Sequence, residues 1–244
     1  MENKRLELVI HEAGCMIMVA PLSLGGHAYE DLIDGVFAGE GEESWREMVE
    51  RGAMMPMTLY QDDGYAVRVV LGDLMEQEAA EWTARVQWKL YIPCGKLLVT
   101  GALDNEEGFT AANDGDDFWL GCYVDVPPGD YQVEVYSYPP GDLTTGWGQI
   151  ENYDGNGLFE PTEGIEPEKP IDYFRRTRPD EEPPRWIAED YFAENQYIQF
   201  IVHLSPLTKE LPLPEFEEGD FLQWRFRKPE SCPLGILSQS LKKE

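Results

Sequence analysis

Apolar and polar residues alternate along much of this chain with a period of two, the pattern of strands with one buried and one wet face. Leu6, Leu8 and Ile10 alternate, a turn over residues 11–14 follows, and residues 15–19 return as a second strand. Tyr65, Val67, Val69 and Leu71 repeat the pattern. Its clearest instance is residues 82–92, with Trp82, Ala84, Val86, Trp88, Leu90 and Ile92 on one side and Thr83, Arg85, Gln87, Lys89 and Tyr91 on the other. Pro93, Cys94 and Gly95 turn that strand, and residues 96–103 return.

The segment around which the pattern is organised is 118–140. Leu120, Cys122, Val124 and Val126 alternate, as do Tyr131, Val133 and Val135. Between them, Pro127, Pro128, Gly129 and Asp130 place Pro second and Gly third, which predicts a β-hairpin closed by a type II turn with positive φ at Gly129. Residues 196–204 and 221–227 predict the last strands.

Helical spacing is rarer. Trp45, Met48 and Val49 predict a helix over 42–51, with Gly52 placed to stop it. Shorter turns are expected at 29–37, 73–81 and 186–193. No repeat of 20 to 50 residues punctuates the chain. The fold class expected is mainly β, or α+β, as an antiparallel β-sandwich or open barrel with a few short helices. Residues 1–244 are expected to form a single domain with an irregular excursion at about 141–170, where Gly, Pro, Asn and Glu dominate.

Composition supports a folded protein, since 42% hydrophobic and 12% aromatic residues are too many for a disordered acidic chain. No apolar run approaches the roughly 20 residues that span a bilayer, and the N-terminal segment alternates where a signal peptide would be continuously apolar. The expectation is therefore a cytoplasmic protein without a membrane partner. Cys15, Cys94, Cys122 and Cys232 are scattered with no zinc-type spacing, so they read as reduced, mostly buried thiols.

Charge changes the picture more. The formal net charge is −28, and residues 97–168 contain sixteen acids but no Lys, Arg or His. Such a stretch repels phosphate backbones, which argues against nucleic acid as a partner. It suits a basic protein partner or a hard cation, and in its plainest role it confers solubility. Arg175, Arg176, Arg178 and Arg185 follow immediately, with Tyr173, Phe174 and Trp186 beside them. They can fold back on the acids or grip an anionic ligand.

Residues 152–163 carry the sharpest chemical motif. Asn152, Asp154 and Asn156 stand at alternate positions, Gly157 follows at the turn, Leu158 offers a backbone carbonyl, and Glu160 and Glu163 complete an oxygen set spaced for calcium. In this spacing the segment resembles an EF-hand loop. It departs from that family in having Asn at the first position and no helix-forming sequence on either side. A second acidic cluster, Asp114, Asp116 and Asp117 with Glu106 and Glu107, lies in the 104–117 loop. Either loop provides an alternative function, that of a metal-dependent enzyme or calcium-binding protein. His11, His27 and His203 show no metal-binding spacing, and His203 reads as a packed or rim histidine.

The words Val-Pro-Pro-Gly-Asp-Tyr-Gln-Val, within residues 124–139, resemble a hairpin of competence nuclease-inhibitor proteins, small acidic β-rich inhibitors of a DNA-entry nuclease. The resemblance implies inhibition of a partner protein and assigns no functional residue. The leading expectation is a non-catalytic protein-binding module, inhibitor-like or immunity-like, with no resident cofactor.

Overall fold

The computed structural model describes residues 3–13, 16–26, 44–59, 64–102, 121–138, 168–188, 196–217 and 219–240. The strands are β1 (Lys4–Ala13), β2 (Met16–Pro21), β3 (Met55–Thr58), β4 (Gly64–Leu71), β5 (Ala84–Ile92), β6 (Lys96–Ala102), β7 (Gly121–Asp125), β8 (Gly129–Ser137), β9 (Tyr197–Ile198), β10 (Phe200–Pro206), β11 (Arg225–Phe226) and β12 (Ile236–Leu237). The helices are α1 (Trp45–Glu50), α2 (Glu76–Glu81), α3 (Pro170–Thr177) and α4 (Arg185–Ala188). Ten strands follow the order β11-β5-β8-β10-β4-β1-β6-β2-β3, with β7 branching from β6, and β9 pairs separately with β12. The pairings are antiparallel except β10 with β4 and β1 with β6. The mainly β class with few helices is therefore what the chain adopts.

The ten strands form two walls around one core. Val67, Val69, Val86, Trp88, Val133, Val135, Phe200 and Val202 from the first wall share a buried cluster with Ile17, Val19, Met55, Met57, Leu97, Val99, Cys122 and Val124 from the second. β1 passes from one wall to the other: it pairs with β4 over most of its length and with β6 only at Glu12 and Ala13. On the far side, residues 222–226 seal the gap. The Leu222 N–H donates to Pro56 O at 2.9 Å and the Trp224 indole to Thr58 O at 2.9 Å, one residue before Arg225 joins β5. Among the described residues the outermost strands β3 and β11 do not pair, so the barrel stays open.

Three hairpins expected from the alternation do not form. β1 and β2, β5 and β6, and β7 and β8 each part at their connection and enter opposite walls. The predicted strands exist, but β7 pairs with β6 while β8 lies between β5 and β10. Gly129 is absent from the glycines with positive φ and begins β8, so the type II turn is not made either. What replaces it is a long two-stranded ribbon. β5 and β8 pair from Ala84 opposite Ser137 to Ile92 opposite Gly129, and β6 and β7 continue in the same register from Lys96 opposite Asp125 to Thr100 opposite Gly121. Within the gap, the Val126 N–H still donates to Gly95 O at 3.0 Å. The constant register places Pro93 opposite Pro128 and Cys94 opposite Pro127. Proline offers no N–H to a ladder, so the ribbon opens there and folds from one wall to the other. Gly95, with φ of 69°, lies against Val126 O and Pro128, a conformation and a spacing that suit glycine.

Helix α1 forms as expected. Ser44 and Glu47 make a reciprocal capping box, Trp45, Met48 and Val49 are buried, and Gly52 follows with φ of 77°. α2 falls within the expected 73–81 turn and α4 within 186–193 apart from its first residue. Residues 29–37 and most of the 141–170 excursion lie outside the described residues. α3, starting at the last residue of that excursion with Pro at its first turn, was not foreseen. Trp82 also departs from expectation: it packs at 5.8 Å from Tyr136 on the outer side of the first wall, because the ladder begins only at Ala84. Among the described residues no helix is long and apolar enough to cross a membrane.

Candidate functional site

The outer face of the first wall carries the densest polar chemistry in the described molecule. Side chains of alternate residues share a face, so cross-strand register aligns Glu7 of β1 with Arg68 of β4, and His203 of β10 with Glu134 of β8. Arg85 of β5 joins this row from the next strand. Helix α2 lies over it and lowers Glu78 into the centre.

Arg68 is fully buried. Its guanidinium donates to Glu7 Oε1 at 2.5 Å, to Glu78 Oε1 at 2.7 Å and to Leu237 O at 2.9 Å. Glu78 Oε2 accepts from Arg5 at 3.1 Å and from the Met75 N–H at 2.7 Å. Glu7 is clasped by the C-terminal segment: the Ser238 hydroxyl donates at 2.8 Å, the Ser240 hydroxyl at 2.9 Å, and the Gln239 and Ser240 N–H groups at 3.0 and 2.8 Å. Burial raises the pKa of Glu7, but these donors and Arg68 outweigh it and hold the carboxyl at about 2. The network fastens α2 and the tail onto the sheet.

Beside it, His203 is engaged through both ring nitrogens. Nδ1 lies 3.3 Å from Glu134 Oε2 and Nε2 lies 2.6 Å from Gly72 O. Two acceptors favour the doubly protonated ring, so although burial opposes the charge, Glu134 and Gly72 O raise the imidazole pKa. Glu134 is correspondingly held below the usual carboxylate range: burial works against this, and His203, Tyr136 and Arg85, the last at 3.2 Å, prevail. A general base needs a free nitrogen lone pair facing substrate. His203 directs both nitrogens at protein acceptors, so the trio is a structural ion cluster. The expectation of a packed or rim histidine is met.

The thiols differ in exposure. Burial pushes Cys122 up to about 11 and Cys232 up to about 12, whereas Cys94 is exposed at the ribbon's fold. Cys15 lies outside the described residues. So do Asn152, Asp154, Asn156, Leu158, Glu160 and Glu163 of the calcium-type loop, and the whole 104–117 cluster.

Four acids of the cation-free stretch are described. Glu134 is neutralised as above, and Glu168 receives Arg176 at 2.7 and 2.9 Å and Lys228 at 2.8 Å, which hold it at about 2 despite some burial. Asp125 and Asp130 are exposed, and among the described residues neither carboxylate has a partner. Of the basic cluster, Arg176 thus folds back on the acidic stretch, while Arg178 instead pairs with Glu181 at 3.0 Å and donates to Cys232 O at 2.7 Å. The signals the sequence reading missed are Glu7, Glu78 and Arg68, whose alternation marks a polar face but not a buried one.

A small groove lies along the edge of β5, lined by Arg85, Gln87, Leu213, Glu215, Gln223 and Arg225 among others.

No protein-family model matches the chain, and a search of curated proteins returns no match. Among solved structures it is similar to one titled crocagin biosynthetic gene J, at 14% identity and a TM-score of 0.43, covering 85% of this chain and 99% of that one. It is also similar to ComJ, titled an inhibitor of the DNA degrading activity of NucA from Bacillus subtilis, at 10% identity and a TM-score of 0.33, covering 57% of this chain and 86% of that one. The resemblance noted at residues 124–139 is to inhibitors of the same kind.

Replacing Arg68 with Leu leaves Glu7 buried without its cation and Glu78 with Arg5 alone. Urea unfolding should show a loss of about 3–5 kcal/mol, and a loss below 1 kcal/mol would show that water or other donors satisfy both acids. The raised imidazole pKa of His203 also has a fixed sign in stability. Its contribution is complete below the ordinary value of about 6.5 and disappears as pH rises through the folded value. Unfolding midpoints should therefore fall on going from about pH 6 to 8, and His203→Gln should flatten that slope.

Proposed function

We propose that this chain is a non-catalytic, cytoplasmic protein-binding module, inhibitor-like or immunity-like, that engages a basic protein surface through the acidic stretch 97–168. The observation that carries this reading is where the positive charge sits. Arg5 and Arg68 face Glu78 and Glu7, Arg85 faces Glu134, Arg46 faces Asp220, Arg178 faces Glu181 and Arg225 faces Glu215. With these bases engaged, the Asp125 and Asp130 carboxylates are exposed and, among the described residues, unpartnered, in a sequence of net charge −28. An uncompensated field of one sign accelerates encounter with a partner of the other sign and weakens with salt.

The tagged chain should retain a basic protein from its native lysate at about 50 mM salt and release it by about 500 mM. A blank capture at low salt, or retention indifferent to salt, would remove this reading.

The oxygen spacing of Asn152, Asp154, Asn156, Leu158, Glu160 and Glu163 supports a second reading, a calcium-binding or metal-dependent protein. Titration calorimetry with calcium, magnesium and manganese on chelator-treated protein should give a binding heat that Asp154→Ala and Glu163→Ala abolish. No heat at about millimolar metal would end that alternative.

A further inference from the structure

A strap of three polar residues, Ser238, Gln239 and Ser240, follows β12 and rests on one side chain of the sheet. β12 itself is anchored, since Ile236 is buried opposite Ile198 of β9. Past it the burial ends: Leu237 is 56% exposed, and Gln239 and Ser240 are exposed as well. The Ser238 N–H still donates to Gln196 O at 3.0 Å. All three residues then converge on Glu7. Its Oε2 accepts from the Ser238 hydroxyl at 2.8 Å, the Gln239 N–H at 3.0 Å, the Ser240 N–H at 2.8 Å and the Ser240 hydroxyl at 2.9 Å. With no apolar side chain in the strap, this polar fastening has no hydrophobic contact of its own to fall back on.

Such a fastening holds while the acceptor is an anion and every group around it is a donor. The first condition is permanent in the ordinary pH range, because the Glu7 carboxyl is held at about 2. Its side chain is only 6% exposed, so water screens that charge poorly. The second condition can be changed at Ser240. Ser238 is half-buried, whereas Ser240 is exposed and carries a hydroxyl that a phosphoryl group can occupy.

We propose that Ser240 is a phosphorylation site and that the strap is a latch which this modification opens. The donor is ATP, used by a serine kinase: the Ser240 Oγ bonds to the γ-phosphorus, the bond from that phosphorus to the departing ADP breaks, and the hydroxyl proton passes to solvent. The donor beside Glu7 is thereby replaced by a group of about −1.5 to −2 charge, next to a carboxylate that stays ionised. Modification takes place on the detached strap, and repulsion then prevents its return, so the open form becomes the populated one. Arg68 keeps both Glu7 and Glu78, and the sheet and α2 stay together. The latch makes no use of the acidic stretch, so either proposal can fail without the other.

Two measurements on the full chain test this. Incubation with a native-cell lysate and ATP labelled at the γ-phosphate should label the chain, and Ser240→Ala should remove the label. No label, or label that Ser240→Ala retains, would overturn the site. Amide hydrogen exchange reads the latch. With phosphoserine installed at 240, the N–H groups of residues 239 and 240 should exchange at least about tenfold faster than in Ser240→Ala, which loses the same donor without gaining charge. Glu7→Gln, with thermal unfolding confirming its fold, should cancel that difference. Equal exchange in the phosphorylated and Ser240→Ala proteins, or a difference that survives Glu7→Gln, would overturn the latch.

Discussion

One ladder, held in a single register through a fold, constrains the rest of this molecule. β5 and β8 lie in one wall and β6 and β7 in the other, yet Ala84 to Thr100 and Ser137 to Gly121 are the two sides of one ribbon. Because the register survives the bend, Val86, Trp88 and Leu90 face Cys122 and Val124 across a common interior. Each such side chain contributes about 1.5–3 kcal/mol by leaving water, and none would do so in a flat hairpin with one face exposed. β1 and the 222–226 segment then close the remaining sides.

The second layer is secured differently. α2 and the tail bring a few apolar residues, Ile236 among them, onto a face that includes Ala66, Val70, Tyr136 and Ile201. Their firmest link is ionic, through Arg68 to Glu7 and Glu78. A buried ion pair adds little net stability over an apolar replacement, but it tolerates no half-measure in geometry. That suits an element whose position has to be specified with few apolar contacts. α3 and α4 build their own small cluster from Tyr173, Phe174, Trp186 and Ile187, closed by Tyr197 and Cys232.

Charge is divided between interior and surface. The arginines of the first wall face buried or half-buried acids, and His203 completes that set. These pairs leave the net charge of −28 unchanged.

Period-two alternation depends only on which side chains must be buried, and that is local. Leu8, Ile10, Val67, Val69, Val133 and Val135 are therefore core residues both in pattern and in fact, and the Trp45, Met48 and Val49 spacing gives α1 in the same way. Strand partners are not local. A strand at Gly121–Asp125 followed by one at Gly129–Ser137 has the same alternation whether the two pair with each other or with β6 and β5. The prolines at 93, 127 and 128 were visible, but their meaning lay in standing opposite one another, which only register reveals. The Arg68, Glu7 and Glu78 cluster was hidden for the same reason: alternation assigns those residues to a polar face, and only the descent of α2 buries it. The sequence by itself determined that this chain makes strands with one apolar face and carries an acidic stretch. Which strands meet and which charges are neutralised depend instead on contacts between residues far apart along the chain, so they follow from the folded arrangement.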